Sequence, residues 1–204
     1  MTALLSAHGL RVYRGERCLF DDVGFALEPG ELLLIVGANG SGKTSLLRAI
    51  AGLLLPDNGE IRWRGQLTGS SNQQFRAELG WLAHRLGLKY DLSVAENLDF
   101  DAGLRGADRS SRRQILDKLN IANLQGLPLR SLSAGQQRRV ALSRLLESAA
   151  TLWLMDEPFT HLDSTGQALV TGMVGEHLAS GGVAAIATHH PIELPVVTHR
   201  LELQ

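Results

Sequence analysis

Two groups of residues have types and spacing suited to phosphate chemistry. The first is Gly37-Ala38-Asn39-Gly40-Ser41-Gly42-Lys43-Thr44, which fits the pattern G-x-x-x-x-G-K-[ST]. Glycines let a backbone curl so that several N–H groups converge on a polyphosphate, and the N-terminus of a following helix adds its positive dipole end. In such a loop Lys43 reaches the β- and γ-phosphates, and the Thr44 hydroxyl ligates Mg²⁺. The second group is Asp156-Glu157. A carboxylate such as Asp156 at a strand end beside a phosphate loop can hold Mg²⁺ through its waters. Glu157 is then placed to orient or deprotonate an attacking water. Singly, the first group is also a glycine-rich turn and the second an acidic strand end. Together they point to a nucleotide-hydrolysing site.

Both groups need a scaffold that presents them side by side. Leu32-Leu33-Leu34-Ile35-Val36 is a short apolar run that reads as a buried strand, and residues 45–50 have helical composition. Thr151-Leu152-Trp153-Leu154-Met155 is a second apolar strand leading into Asp156, and residues 182–188 are a third. Residues 10–13 and 24–27 read as short strands around a turn, residues 60–64 alternate after Pro56-Asp57-Asn58-Gly59, and residues 78–84 read as a strand that stops at His84. From about residue 92 helices take over. Ser93 and Glu96, then Ser133 and Gln136, have capping-box spacing, and residues 109–119 read as a basic helix between them. Residues 167–178 read as a further helix, and 201–203 as a strand closing a sheet edge. Strands interleaved with helices imply an α/β fold with a mostly parallel sheet and antiparallel edge strands. Residues 1–204 are expected to form one domain, with 1–87 and 146–204 as its core and 88–145 as a helical insertion.

Bulk properties narrow the function classes. Apolar residues make up 44% and charged residues 20% of the 204, as in ordinary globular chains. A net charge of −1 argues against a nucleic-acid binder held by a broad positive field. Arg109, Arg112, Arg113 and Lys118 are better read as a solvated helical face than as a basic patch. Cys18 is the single cysteine, so no internal disulfide or cysteine metal cage forms, which suits a reducing compartment. No apolar run approaches the roughly 20 residues that span a bilayer, and residues 1–8 show no signal-peptide pattern.

Leu132-Ser133-Ala134-Gly135-Gln136 narrows the class further. It resembles the LSGGQ signature of ATP-binding cassette (ABC) ATPases, with Ala134 replacing the first glycine. The order of phosphate loop, helical block, signature, acidic strand and histidine matches that family over nearly the whole chain. The resemblance implies a P-loop NTPase fold of the ABC type, ATP and Mg²⁺ as ligands, and a homodimer that sandwiches two ATPs head to tail. Ser133, Gly135 and Gln136 would then act in trans on the partner's nucleotide. It also implies that Tyr13 stacks on adenine, that Asp163 belongs to the segment coupling the two sites, and that His189 contacts the γ-phosphate, with no catalytic role for His190. Where the family carries a glutamine in the loop after the 78–84 strand, this chain has His84, whose imidazole can accept a hydrogen bond or ligate a metal as the amide carbonyl can.

Within the family, His84, the stretch from Leu132 to Leu142, the segment from Leu152 to Thr160 and the short chain are most similar to the haem-exporter ATP-binding subunits of bacterial cytochrome c maturation. That resemblance implies an ATPase energising integral-membrane permease subunits from the cytoplasmic face of the inner membrane, with no span of its own and no nucleic-acid partner. Other small-molecule ABC importers and exporters remain an alternative, as does a soluble cassette ATPase uncoupled from transport. No Cys-x-x-Cys-His occurs and the histidines follow no ligand spacing, so no haem-contacting residue is read from the chain.

Overall fold

The computed structural model describes residues 3–69, 71–106, 108–190 and 194–204; Met1 and Thr2 of the N-terminal reading lie outside them. Two sheets organise the fold. β1 (Leu5–Arg14), β2 (Arg17–Leu27), β4 (Asn58–Trp63) and β5 (Gln66–Leu67) form an antiparallel sheet in the order β2-β1-β4-β5. β6 (Leu79–Leu82), β7 (Leu152–Asp156), β8 (Val183–Ala187), β3 (Leu32–Gly37) and β9 (Thr198–Leu203) form a parallel sheet in the order β6-β7-β8-β3-β9. The antiparallel strands are therefore gathered into a sheet of their own. The expected edge strand at 201–203 is β9, which pairs with β3.

The central strands are apolar on both faces because both are covered. All five residues of β7 and of β8 are buried, as expected where layers pack on either side of a parallel sheet. Successive side chains alternate between two cores. Leu152, Leu154, Val183, Ala185, Leu33 and Ile35 join the core shared with the antiparallel sheet and α1 (Lys43–Ile50). Trp153, Met155, Ala184, Ile186, Leu32 and Leu34 join the core on the helical side. There lie α3 (Val94–Arg105), α4 (Arg112–Lys118), α5 (Ala134–Glu147) and α6 (Ser164–Ala179), while α2 (Gln73–Ala77) precedes β6.

Several boundaries differ from the sequence reading, each for a local reason. The strand expected to reach His84 ends at Leu82, because β6 pairs only with β7 and its last partner is Met155. The basic helix starts at Arg112, because the Asp108 carboxylate accepts from the N–H and hydroxyl of Ser110 and holds a turn there. The helix expected at 167 starts at Ser164, because Asp163 caps it by accepting from the Gly166 N–H at 2.8 Å. Both capping boxes form, at Ser93/Glu96 and Ser133/Gln136. Ion pairs tie the helices together: Arg112 of α4 reaches Asp99 of α3 and Glu147 of α5, and Arg144 of α5 pairs with Asp101 of α3.

A half-buried imidazole packs against the helical side of the sheet. His177 of α6 stacks on Trp153 with ring centroids 3.9 Å apart and planes 6° from parallel, and its Nε2 lies 3.2 Å from the Val183 carbonyl. Burial pushes the imidazole below its ordinary value, against the pull of the Val183 and Thr151 carbonyls. The folded state thus holds neutral His177, and the unfolded chain takes up the proton first as pH falls. This contribution to stability is complete above the unfolded value of about 6.5 and is lost as pH drops below it. A His177→Phe variant, which keeps a ring over Trp153 and cannot ionise, should therefore lose less melting temperature than wild type between neutral and mildly acidic buffer. Identical acid slopes in thermal unfolding would remove His177 from this role.

Candidate nucleotide site

The register of three parallel strands assembles the site. β8 pairs with β3 as Ile35↔Ala187 and with β7 as Asp156↔Ala187, so β7 and β8 end level with each other while β3 runs two residues further, to Gly37. The Gly37–Thr44 loop leaves β3, Asp156-Glu157 closes β7, and Thr188-His189 follows β8. Backbone bonds tie these exits together, with the Glu157 N–H donating to the Ala187 carbonyl at 2.8 Å and the Thr188 N–H to the Ile35 carbonyl at 3.2 Å.

The phosphate loop has the backbone that its glycines permit. Gly37, Gly40 and Gly42 have φ of 148°, 82° and 101°. At Gly37 the demand is also steric, because a Cβ there would lie 2.2 Å from the carbonyl oxygen of Leu203, its partner across the β3–β9 pair. Lys43 is 7% exposed and points into the loop, its Nζ donating to the Gly37 and Ala38 carbonyls at 2.8 and 2.9 Å. The Thr44 hydroxyl donates to Asp156 Oδ2 at 2.9 Å, joining the two groups across the strand between them. Ser41 Oγ is buried without a hydrogen-bond partner. An unmet buried polar atom costs about 1–3 kcal/mol, which a phosphate oxygen would offset.

Glu157 has φ of +50°, a left-handed conformation that is uncommon for a residue with a Cβ. Strain of this kind, on the order of 1–3 kcal/mol, persists where the surroundings over-determine it and clusters at functional sites. Three neighbours hold it: the Ala187 carbonyl on its N–H, the Arg138 Nη2 donating to its carbonyl at 2.9 Å, and the Thr160 N–H at 3.3 Å on the same oxygen. Its carboxylate is mostly buried and lies 3.0 Å from Nδ1 of His189, a ring that is itself 77% exposed. The neighbouring His190 packs on Phe159 at 4.9 Å between centroids.

The remaining sequence-assigned residues make no hydrogen bond or ion pair with this group among the described residues. Tyr13 is 45% exposed and sits opposite Cys18 in the β1–β2 hairpin. A Cβ on Gly42 would meet Leu19 and Phe20 of that hairpin at 3.2 Å, so the hairpin that carries Tyr13 abuts the phosphate loop. His84 is exposed two residues beyond Leu82, at the sheet end where Glu157 lies two residues beyond Met155. Ser133 is exposed at the α5 N-terminus, where its hydroxyl accepts from the Gln136 N–H and Gln136 Oε1 accepts from the Ser133 N–H. The first N–H groups of α5, at Ala134 and Gly135, have no acceptor within the helix. A Cβ on Gly135 would stand 2.9 Å from the His161 carbonyl, so this turn packs directly on the segment after β7. Among the described residues, no hydrogen bond or ion pair joins Tyr13, His84, Ser133, Gly135, Gln136 or Asp163 to Thr44, Asp156 or Glu157.

Arg138 is the residue that sequence reasoning missed. Arg138 and Arg139 are adjacent on a helix, and nothing in the string distinguishes the buried one from the one that pairs at 3.6 Å with Asp163. Burial holds the Arg138 guanidinium below its ordinary value, while Asp156 and Glu157 pull it up.

Comparison with known proteins gives the family and the fold. A family model described as ABC transporter matches residues 20–160. The chain is 44% identical over 194 residues to the cytochrome c biogenesis ATP-binding export protein CcmA of Methylococcus capsulatus, covering 94% of each. It is 40% identical to the protein of the same name from Escherichia coli, over 94% of this chain and 91% of that one. A solved ABC transporter ATP-binding protein from Pyrococcus furiosus superposes with a TM-score of 0.83 at 25% identity, covering 97% of this chain and 96% of that one.

The position of His84 at the sheet end that carries Glu157 leads to a direct expectation. His84→Gln should keep turnover within about threefold, whereas His84→Ala should lose about tenfold, the worth of one hydrogen bond made in the transition state. Phosphate release at saturating ATP measures both, and equal rates for Ala and His would leave His84 as a surface residue.

Proposed function

The chain belongs to the ABC transporter family and is an ATPase of that family, and from this premise we propose that it energises the export step of a bacterial cytochrome c biogenesis system, with haem export as the transport coupled to it. The proposal for the pathway rests on the name of its relatives and their 40–44% identity over more than nine-tenths of the chain. No helix among the described residues is long and apolar enough to cross a membrane. In this proposal the stroke passes to integral-membrane partners, at the cytoplasmic face of the inner membrane, through the surface around His84 and the helices α3 and α4.

The hydrolytic reading is carried by one observation: Glu157 is held, mostly buried, between Arg138 and His189, next to an Asp156 that already touches Thr44. The loop N–H groups and Lys43 bind the β- and γ-phosphates of ATP, and Tyr13 stacks on the adenine. Thr44 and Asp156 are hard oxygen donors that fit Mg²⁺, and Ser41 Oγ supplies a further polar contact to the phosphates. Held by Thr44 and Asp156, Mg²⁺ would supply positive charge against the negative charge of the phosphates. Glu157 orients the water and accepts its proton, while His189, within reach of Glu157, steadies that carboxylate and contacts the γ-phosphate. A second copy of the chain supplies Ser133, Gly135 and Gln136 over the γ-phosphate, with the N–H groups at the start of its α5 aimed at the negative charge. Asp163, which caps α6 and faces Arg139, lies in the segment that couples the two sites.

Glu157→Gln should bind Mg·ATP with affinity close to wild type and lose turnover by about 10²–10⁴, the usual range for a general base. It should also accumulate as an ATP-bound dimer in size-exclusion chromatography; turnover near wild type would remove Glu157 from the role. For the pathway, the tagged chain purified from solubilised membranes should carry integral-membrane proteins of cytochrome c assembly. Recovery of an unrelated permease would redirect the assignment while leaving the ATPase intact.

A further inference from the structure

Arg138 is 3% exposed, an expensive place for a permanent charge. Its Nη2 donates to the Glu157 carbonyl at 2.9 Å, while its Nη1 is buried with no hydrogen-bond partner. Asp156 and Glu157 are the two carboxylates whose charge acts on it. A side chain kept for packing alone would be more favourable as a hydrophobe, since buried ions are often replaceable by apolar residues at no cost in stability. The guanidinium also lies less than two helical turns from Ser133, on the helix whose first turn is pressed against the His161 carbonyl at Gly135. One face of α5 therefore meets the Glu157–His161 segment at two points, one steric and one hydrogen-bonded.

We propose that Arg138 is a positioning residue for hydrolysis, holding Glu157 in its left-handed backbone conformation and locking the signature turn to the catalytic carboxylate of the same chain. The proposal rests on the assignment of Glu157 as the base. Three constraints on Glu157 come from within the sheet end or the turn after it: the Ala187 carbonyl, the Thr160 N–H and the His189 ring. The Arg138 contact alone comes from the helix that carries Ser133 to Gln136. When those residues close on a partner's nucleotide, Arg138 is the group through which the position of α5 reaches Glu157. The uncommitted Nη1 lets the guanidinium re-aim without first breaking another bond. The carbonyl it leaves would still accept from Thr160, so loss of the side chain should leave the turn folded.

The test uses the full-length chain with Mg·ATP and compares Arg138→Met and Arg138→Gln in the wild-type and Glu157→Gln backgrounds. Methionine removes the buried charge at similar length and should fold; either variant that melts near wild type decides the question. In the wild-type background kcat should fall about tenfold or more with KM for ATP within about twofold. In the Glu157→Gln background the residual rate should change by less than about twofold, because a residue that acts through Glu157 has nothing left to position. Arg138→Lys, which keeps the charge and a donor but not the planar fork, should recover part of the loss. An equal fold-loss in both backgrounds, a KM that rises in step with the fall in kcat, or an unchanged kcat would each overturn the proposal. Lack of turnover in wild type would instead overturn the ATPase reading, and this proposal with it.

Discussion

Everything at the site depends on the register of three parallel strands. With Ala187 opposite both Ile35 and Asp156, β7 and β8 end side by side, and β3 runs two residues past them to Gly37, where the phosphate loop begins. A one-residue slip in any of these pairs would turn a side chain from one core into the other. Leu154 would face the helices and Trp153 the antiparallel sheet. The two cores thus fix the register, and the register sets the Thr44–Asp156 contact across β8. Catalytic geometry is in this sense a by-product of apolar alternation in strands that carry no functional side chain until their last residue.

The sheet end is strained as well as aligned. Glu157 sits at φ +50°, Gly37 leaves no room for a Cβ against Leu203, and Ser41 Oγ has no partner. Such features weaken a fold unless their surroundings are stiff, and here the surroundings are the most buried strands of the protein. His84, Tyr13 and Ser133, by contrast, are all exposed.

The helical layer adds a second kind of order. α3, α4 and α5 are held to one another by Arg112 and Arg144 rather than by apolar packing alone. α5 also meets the segment after β7, through Arg138 and the close approach at Gly135. A helix bound on one side to its neighbours and on the other to Glu157 is suited to pass position between the signature turn and the sheet.

Much of this was written in the string. The phosphate loop, the apolar run into Asp156-Glu157 and the two capping boxes are local patterns, set by backbone freedom at glycine, by burial and by hydrogen bonds over three residues. The string could therefore name Lys43, Thr44, Asp156 and both helix starts, and it carried the family resemblance. It could not show that the antiparallel strands form a separate sheet, since strand partners are chosen by packing over long sequence distances. Nor could it say where the 78–84 strand stops, because that is a matter of pairing with a strand about 70 residues away, which ends at Leu82↔Met155. The identity of the buried arginine was equally hidden. Arg138 and Arg139 differ only in which way a helix face points once α5 has docked, and only that docking brings a guanidinium to the carbonyl of Glu157.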